Sequence, residues 1–209
     1  MRGLEQIPWL YDLGLWFAER LGFLRWRRWL AEGATGPTLD LGTGTGRNLP
    51  WLTAATTVVA VDPSPDNLRA ARARQPGALL VRARAEALPF RPGSFETVVS
   101  GLVFCSVDDP LAGLAEVRRL LRPGGTLRMI EHVRSTRPLA GWLQDLVQPA
   151  WTWAAGGCRN NRQTERTVAE AGFVVDPATR RESGTMRRWV ARPGVTMLWS
   201  GPSSRRGEG

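Results

Sequence analysis

Apolar residues along this chain alternate between short strand-like runs and longer stretches with helical spacing. The short runs predict seven buried strands, at residues 38–41, 58–61, 78–81, 95–101, 126–133, 173–175 and 195–199. The longer stretches predict helices from about residue 48, from residue 65, and over 111–121, 139–155 and 163–171. Upstream, residues 9–31 place apolar side chains three and four positions apart with arginines between them, which predicts one or two amphipathic helices.

The order of these elements predicts the fold class. Strands that alternate with helices pair in parallel through right-handed crossovers. We therefore expect an α/β domain over residues 35–200, with a mostly parallel seven-stranded sheet and helices on both faces. Residues 1–34 are expected to form an N-terminal helical lid, and the composition of residues 201–209 predicts a disordered tail. Ligands bind such sheets beyond the carboxyl ends of the strands.

Composition adds charge and tryptophan to this picture. The 209 residues carry a formal net charge of +9, every one of the 28 basic residues is arginine, and ten residues are tryptophan. A basic surface suits nucleic acid, anionic lipid or an acidic small molecule, whereas arginines scattered over solvated helix faces need no partner. No stretch approaches the ~18 apolar residues that cross a bilayer, and the N-terminus lacks the features of a signal peptide, so a cytoplasmic protein is expected.

The cysteines and the histidine predict no metal centre. Cys105, Cys158 and His132 are the whole supply of these residue types, too few for a zinc-ligand set. Both cysteines are expected to be buried structural thiols. The sequence therefore predicts no metal.

A glycine-rich segment, residues 40–46 (DLGTGTG), follows the first predicted strand. Such a loop lets the backbone approach a ligand closely at a helix N-terminus. Its third glycine comes one residue too early for a dinucleotide fingerprint, and the absence of lysine excludes a Walker loop. About twenty residues on, Asp62 ends the second strand, where a carboxylate can accept hydrogen bonds from ribose hydroxyls. Capping of the next helix is the alternative role of Asp62.

Four blocks, LDLGTGTG, VVAVDPS, EALPFRPGSFETVVS and LAEVRRLLRPGGTL, together resemble the class I S-adenosylmethionine-dependent methyltransferases over residues 36–131. This resemblance implies a Rossmann-like fold, S-adenosyl-L-methionine as cofactor and S-adenosyl-L-homocysteine as product. It places Asp62 at the ribose, and Ala85 and Glu86 near the adenine. Arg84 stands where many relatives carry an aspartate, which makes a side-chain contact to the adenine amino group doubtful. The other positions expected around the cofactor are Asp40, Gly42, Thr43, Gly44, Gly46, Asn48, Pro63, Gly101 and Leu102.

The second half of the sequence narrows the choice of methyl acceptor. LVFCSVDDP, RMIEHVRS and WTWAAGGCRNNRQT resemble bacterial relatives of the methyltransferase-like seven proteins, which are alkyl thiol methyltransferases, and more loosely the ubiquinone/menaquinone C-methyltransferases. This resemblance implies an apolar small-molecule acceptor, with a thiol favoured. Open alternatives are C-, O- or N-methylation of a quinol, natural product or phospholipid headgroup, and a non-catalytic, cofactor-binding protein of the membrane surface.

The remaining expectations concern partners and catalysis. Residues 100–103 lack the tetrad with which amino methyltransferases clamp a flipped base, so no nucleic acid is expected. Peripheral membrane contact, and a monomer or a homodimer, stay open. Glu131 and His132 end the fifth strand and are the catalytic candidates, because histidine suits proton removal at neutral pH. Strand alternation sends the two side chains to opposite faces, so only one is expected to face the acceptor. Alternatively, His132 merely caps the strand end.

Overall fold

The computed structural model describes residues 22–154 and 157–194. The strands are β1 (Gly36–Leu41), β2 (Ala55–Asp62), β3 (Leu79–Arg82), β4 (Phe95–Gly101), β5 (Leu121–His132), β6 (Phe173–Val175), β7 (Arg181–Ser183) and β8 (Met186–Pro193). The α-helices are α1 (Leu24–Glu32), α2 (Pro65–Arg74), α3 (Pro110–Leu120), α4 (Pro138–Ala154) and α5 (Thr164–Glu170).

The strands form one mixed sheet in the order β3-β2-β1-β4-β5-β8-β6, and β7 pairs with β8. The pairs among β1 to β5 are parallel, whereas β8 runs antiparallel to β5, β6 and β7. This arrangement confirms the predicted α/β class and the mostly parallel sheet. Two of the eight strands, β7 and β8, form a hairpin where the sequence predicted no strand. The remaining six match predicted strands.

Hydrophobic side chains cover both faces of the sheet in two clusters. One cluster contains Leu39, Val98 and Met129 together with residues of α3 and α5. The other contains Val99 and Ile130 together with residues of α1 and α2. Neighbouring strand residues thus face opposite clusters, as strand alternation requires.

One predicted helix is wrong. The connection after β1 contains a single 3-10 turn, Leu49–Trp51, where the spacing predicted a helix from Asn48. Pro50 fits the first turn of such an element, and β2 already begins at Ala55, so a full helix has no room. The predicted strand at 195–199, the tail 201–209 and residues 1–21 of the predicted lid lie outside the described residues.

Arginine and tryptophan together fix α1 to the sheet. The guanidinium of Arg188 lies over the rings of Trp26 and Trp29, and that of Arg128 lies over Trp29. Nε of Arg128 also donates to the carbonyl of Leu30 at 2.8 Å. Burial lowers the pKa of Arg128 to about 10. Part of the basic excess therefore serves packing rather than a charged surface.

Candidate functional site

The glycine loop leaves β1 in a conformation that requires glycine. The φ angles of Gly42, Gly44 and Gly46 are +64°, +54° and +79°, values at which a side chain is strained. An added Cβ at Gly42 would also lie 2.5 Å from Cγ2 of Val103. The loop is held against β2, because the Thr43 N–H donates to the carbonyl of Val61 at 2.9 Å. These residues bring the ends of β1, β2 and β4 together.

Asp40, near the end of β1, stabilises the glycine loop through hydrogen bonds. Its fully buried carboxylate accepts from Oγ1 of Thr43 at 2.6 Å and from Nδ2 of Asn48 at 2.9 Å. Nη1 of Arg27 in turn donates to Oδ1 of Asn48 at 2.6 Å. Burial raises the pKa of Asp40 to about 6, against the opposing hydrogen bonds from Thr43 and Asn48. Asp40, a predicted cofactor residue, thus shapes the loop, and Arg27 joins the site without having been predicted.

Asp62 links the glycine loop to the start of α2. Its Oδ2 accepts the Gly44 N–H at 3.0 Å, and its Oδ1 accepts the Ser64 N–H at 2.8 Å and Nδ2 of Asn67 at 3.2 Å. Burial raises the pKa of Asp62. The cap of α2 is Ser64, which accepts the Asn67 N–H. Ser64, and not Asp62, therefore caps this helix. Pro63, between the two, accepts from Nε of Arg82 through its carbonyl.

A small cleft that is partly open to solvent lies beside the loop. The cleft is lined by residues of α1 and the residue before it, by the glycine loop and the two residues after it, and by residues of β4 and β5. These residues are Phe23, Arg27, Leu30, Gly42, Thr43, Thr45, Arg47, Asn48, Gly101 and Ile130. At its edge, Leu102 is the one described non-glycine residue with a positive φ, +63°. Backbone strain of this kind concentrates at functional sites.

The residues predicted near the adenine lie against the loop after β4. Ala85 is buried, and Oε1 of Glu86 accepts the N–H groups of Asp108 and Asp109 at 3.2 and 3.3 Å. Arg84 pairs with Asp108 and approaches Glu86 at 3.7 Å. Glu86 therefore fixes the position of this loop.

Glu131 and His132 both lie near Cys105 in the loop after β4. The fully buried carboxylate of Glu131 accepts the N–H groups of Val103, Phe104 and Cys105 at 3.0 to 3.3 Å. Burial raises the pKa of Glu131 to about 7. The Glu131 carboxylate is thus occupied in shaping the loop after β4.

His132 lies beside both cysteines of the chain. The ligand atoms of Cys105, His132 and Cys158 are all within 4.8 Å of one another. A hydrogen bond between the thiols lowers the pKa of Cys158 and raises that of Cys105. Sequence spacing does not indicate this grouping, because residues 105 and 158 belong to separate loops.

Comparisons with known proteins agree with this geometry. A family model described as a methyltransferase domain matches residues 39–129. The chain is 34% identical to the human thiol S-methyltransferase TMT1B, over 68% of this chain and 62% of that protein. It is 36% identical to a demethylmenaquinone methyltransferase of Renibacterium salmoninarum, over 54% of this chain and 49% of that protein. An S-adenosylmethionine-dependent methyltransferase structure from Thermotoga maritima has a TM-score of 0.68 at 21% identity, covering 91% of this chain and 99% of that chain.

The chain thus spans about three fifths of the length of the thiol S-methyltransferase it matches. At 21% sequence identity, the similarity to the Thermotoga maritima structure supports the fold alone.

Proposed function

We propose that this chain is a class I S-adenosylmethionine-dependent methyltransferase, as the methyltransferase domain matched over residues 39–129 and the relatives named as methyltransferases support. We further propose that it transfers the methyl group to the sulfur of an apolar small-molecule thiol. The observation that carries the proposal is the junction of the glycine loop with the carboxylate of Asp62, beside a cleft with apolar and cationic walls.

The residues of this junction fit S-adenosylmethionine. An ionised carboxylate offers about four acceptor positions, and the described contacts of Asp62 use three of them. The remaining capacity suits a ribose hydroxyl. The cationic side chains of Arg27 and Arg47 line the cleft, which suits the carboxylate of the methionine part. Ala85 and Glu86 would border the adenine.

When bound, S-adenosylmethionine supplies an electrophilic methyl group on a sulfonium. The task of the chain is then to align the acceptor in line with that carbon and to exclude water, and alignment alone accounts for a large part of such a barrier. Glu131 contributes by fixing residues 103–105, of which Val103 packs against Gly42 of the glycine loop. We place His132 as the group that assists ionisation of the acceptor, because a thiol with a pKa of about 8.5 is only a few per cent thiolate at neutral pH.

The choice of a thiol is supported by the relatives named as thiol S-methyltransferases. C-methylation of a quinol is the second candidate, since a demethylmenaquinone methyltransferase is also among the relatives. Both acceptors are apolar. O- and N-methylation have no comparable support.

The outer face of α4 supports a contact with a lipid surface. This helix turns Gly141, Gln144 and Gln148 inward, where the two glutamines bond backbone carbonyls. Its apolar side chains point outward and are 42% to 71% exposed: Leu139, Trp142, Leu143, Leu146, Val147, Trp151 and Trp153.

Two exposed arginines flank α4, Arg137 just before it and Arg159 a few residues after it. Tryptophan together with arginine suits an anionic bilayer surface. No described helix combines the length and apolar character needed to span a bilayer. We therefore propose a peripheral contact, through which an apolar acceptor would reach the site. A cofactor-binding surface protein without catalysis is the rival function.

A panel assay separates these functions. Purified protein is incubated with S-adenosylmethionine and, in turn, an alkyl thiol, a quinol, a phenol and an amine, and S-adenosylhomocysteine is measured. We expect product with the alkyl thiol. Tight cofactor binding without product from any acceptor would favour the non-catalytic rival. Within the active protein, His132→Gln should lower kcat by roughly 10²-fold while leaving S-adenosylhomocysteine affinity within about twofold.

A further inference from the structure

The two free thiols and the single imidazole of the chain meet at one point. Cys105 lies in the loop after β4, His132 ends β5, and Cys158 follows α4. Both cysteines are more than nine-tenths buried, and Nδ1 of His132 is buried without a hydrogen-bond partner among the described residues. Such a polar atom is costly unless a ligand completes it.

Backbone contacts hold the three residues in place. The Arg159 N–H donates to the carbonyl of Cys105 at 2.8 Å, which ties the two cysteine loops together. The Cys105 N–H donates to Oε2 of Glu131 at 3.3 Å. Nε2 of Gln148 donates to the carbonyl of Cys158 at 3.1 Å. The three residues thus lie on separate elements, and backbone hydrogen bonds hold Cys105 and Cys158 in place. Sγ of Cys105 also lies 3.7 Å from Oγ of Ser106.

The donor set suits a soft divalent cation. Two thiolates and an imidazole are preferred zinc ligands, and three protein ligands with an open fourth position are typical of zinc sites that act on a substrate. Zinc bond lengths of about 2.3 Å to sulfur and 2.0 Å to nitrogen set tetrahedral ligand atoms roughly 3.5–3.8 Å apart. Because the ligand atoms lie within 4.8 Å of one another, metal binding requires each pair to approach by about 1.3 Å at most.

We propose that Cys105, His132 and Cys158 bind one zinc ion, or a cation of the same class, with its fourth position available to a ligand thiol. Binding releases the two thiol protons to solvent, so that two thiolates neutralise the cation within the buried site. The thiol ligand rests on the proposed function: coordination would hold the bound thiol as thiolate, with its proton released to solvent, so that His132 would assist ionisation as a ligand and not as the base. The cation site stands without that clause.

Cobalt(II) is the probe that tests this site. The full chain is reduced, freed of metal with a chelator and titrated with Co²⁺ under anaerobic conditions. We expect one equivalent to produce a thiolate-to-cobalt charge-transfer band and the visible bands of tetrahedral cobalt, and Zn²⁺ to bleach both, since zinc binds more tightly. The unfolding temperature should rise with either metal, because the cation binds the folded state.

Single variants identify the ligands. Cys105→Ser, Cys158→Ser and His132→Asn should each weaken cobalt binding at least tenfold and change the spectrum. Ser94→Ala, in the turn before β4 at the opposite end of that strand from Cys105, is the control and should titrate like the parent protein. Circular dichroism verifies that each variant is folded.

The site is overturned if the fully reduced parent shows no tetrahedral cobalt spectrum, or if the spectrum survives in the two serine variants. Counting free thiols before and after reduction detects a disulfide between Cys105 and Cys158. If reduction restores both thiols and the protein still binds no metal, the cation site is also overturned. Addition of a small alkyl thiol should strengthen the charge-transfer band, and an unchanged band refutes the fourth-ligand clause. Absence of turnover with an intact cobalt spectrum would refute the proposed function and leave the cation site standing.

Discussion

Gly42 lies in the glycine loop under two separate constraints, and Gly93 shares only one of them. Both residues have a φ of +64°. An added Cβ at Gly42 would lie 2.5 Å from Cγ2 of Val103, whereas an added Cβ at Gly93 would meet nothing within 4 Å. Gly93→Ala therefore measures the backbone strain alone, and Gly42→Ala measures the same strain plus the collision with Val103.

The expected costs follow from this difference. A non-glycine residue in the left-handed region costs about 1–2 kcal/mol, offset by about 0.4–1 kcal/mol from the lower entropy of the unfolded chain. We expect Gly93→Ala to lose about 1 kcal/mol, a fall in Tm of about 2–4 °C for a chain of this size. Overpacking adds about 1–3 kcal/mol in Gly42→Ala, so that its loss of Tm should be two to four times larger.

The same substitution should weaken ligand binding. The folded variant relieves the collision by displacing Val103, whose N–H is bonded to Glu131 at 3.0 Å. If ligand binding needs Val103 in its original place, restoring it costs the same 1–3 kcal/mol, or roughly fivefold to 150-fold in affinity. Calorimetric titration with S-adenosylhomocysteine and thermal unfolding test both effects. Equal Tm values and equal affinities for the two variants would refute the reasoning.

Three further predictions concern charge and surface. Because burial raises the pKa of Asp40 from 3.8 to about 6, the folded state holds a proton that the unfolded chain loses earlier. Stability should fall by about 3 kcal/mol as the pH rises through that window; denaturant unfolding of Asp40→Asn should lack this slope, and parallel pH profiles would contradict it. Arg27→Gln removes a buried donor to Asn48 and should cost about 1–3 kcal/mol and lower cofactor affinity, whereas exposed Arg28→Gln should cost under about 1 kcal/mol; equal losses would exclude a special role of Arg27. Leu146→Ser should reduce co-sedimentation with anionic liposomes about tenfold, and Leu79→Ser, similarly exposed on β3, should not; no retention of the parent protein at low salt would remove the membrane contact.

The sequence predicted the elements whose patterns are local. β4 and α3 have the bounds that their apolar periodicity predicts to within one residue. The β7–β8 hairpin was not predicted, because β8 buries Arg187 as well as Trp189. The arginines of β8 interrupt the alternation of apolar and polar residues that identifies a strand. Arg187 is neutralised by Glu165 at 2.5 Å, a partner that strand patterning cannot reveal.

Some residues of the site were also predictable from local sequence, whereas others were not. The glycine loop and Asp62 were predictable because their roles follow from backbone geometry at the ends of neighbouring strands. The function of Arg27 was hidden, because an arginine on an amphipathic helix ordinarily faces solvent. The grouping of Cys105 with Cys158 depends on the placement of the loop after α4, and composition alone argued against any metal. Sequence spacing cannot encode such a meeting of distant segments.

The central claim is that Asp62 and the glycine loop bind S-adenosylmethionine. Isothermal titration of the full chain with S-adenosylhomocysteine tests it most directly, with Asp62→Ala as the variant and Asp66→Ala, a surface residue that pairs with Arg69, as the matched control. We predict one-to-one binding by the parent and by Asp66→Ala, and at least tenfold weaker binding by folded Asp62→Ala. No binding heat in the parent, or equal affinity in all three proteins, would contradict the account.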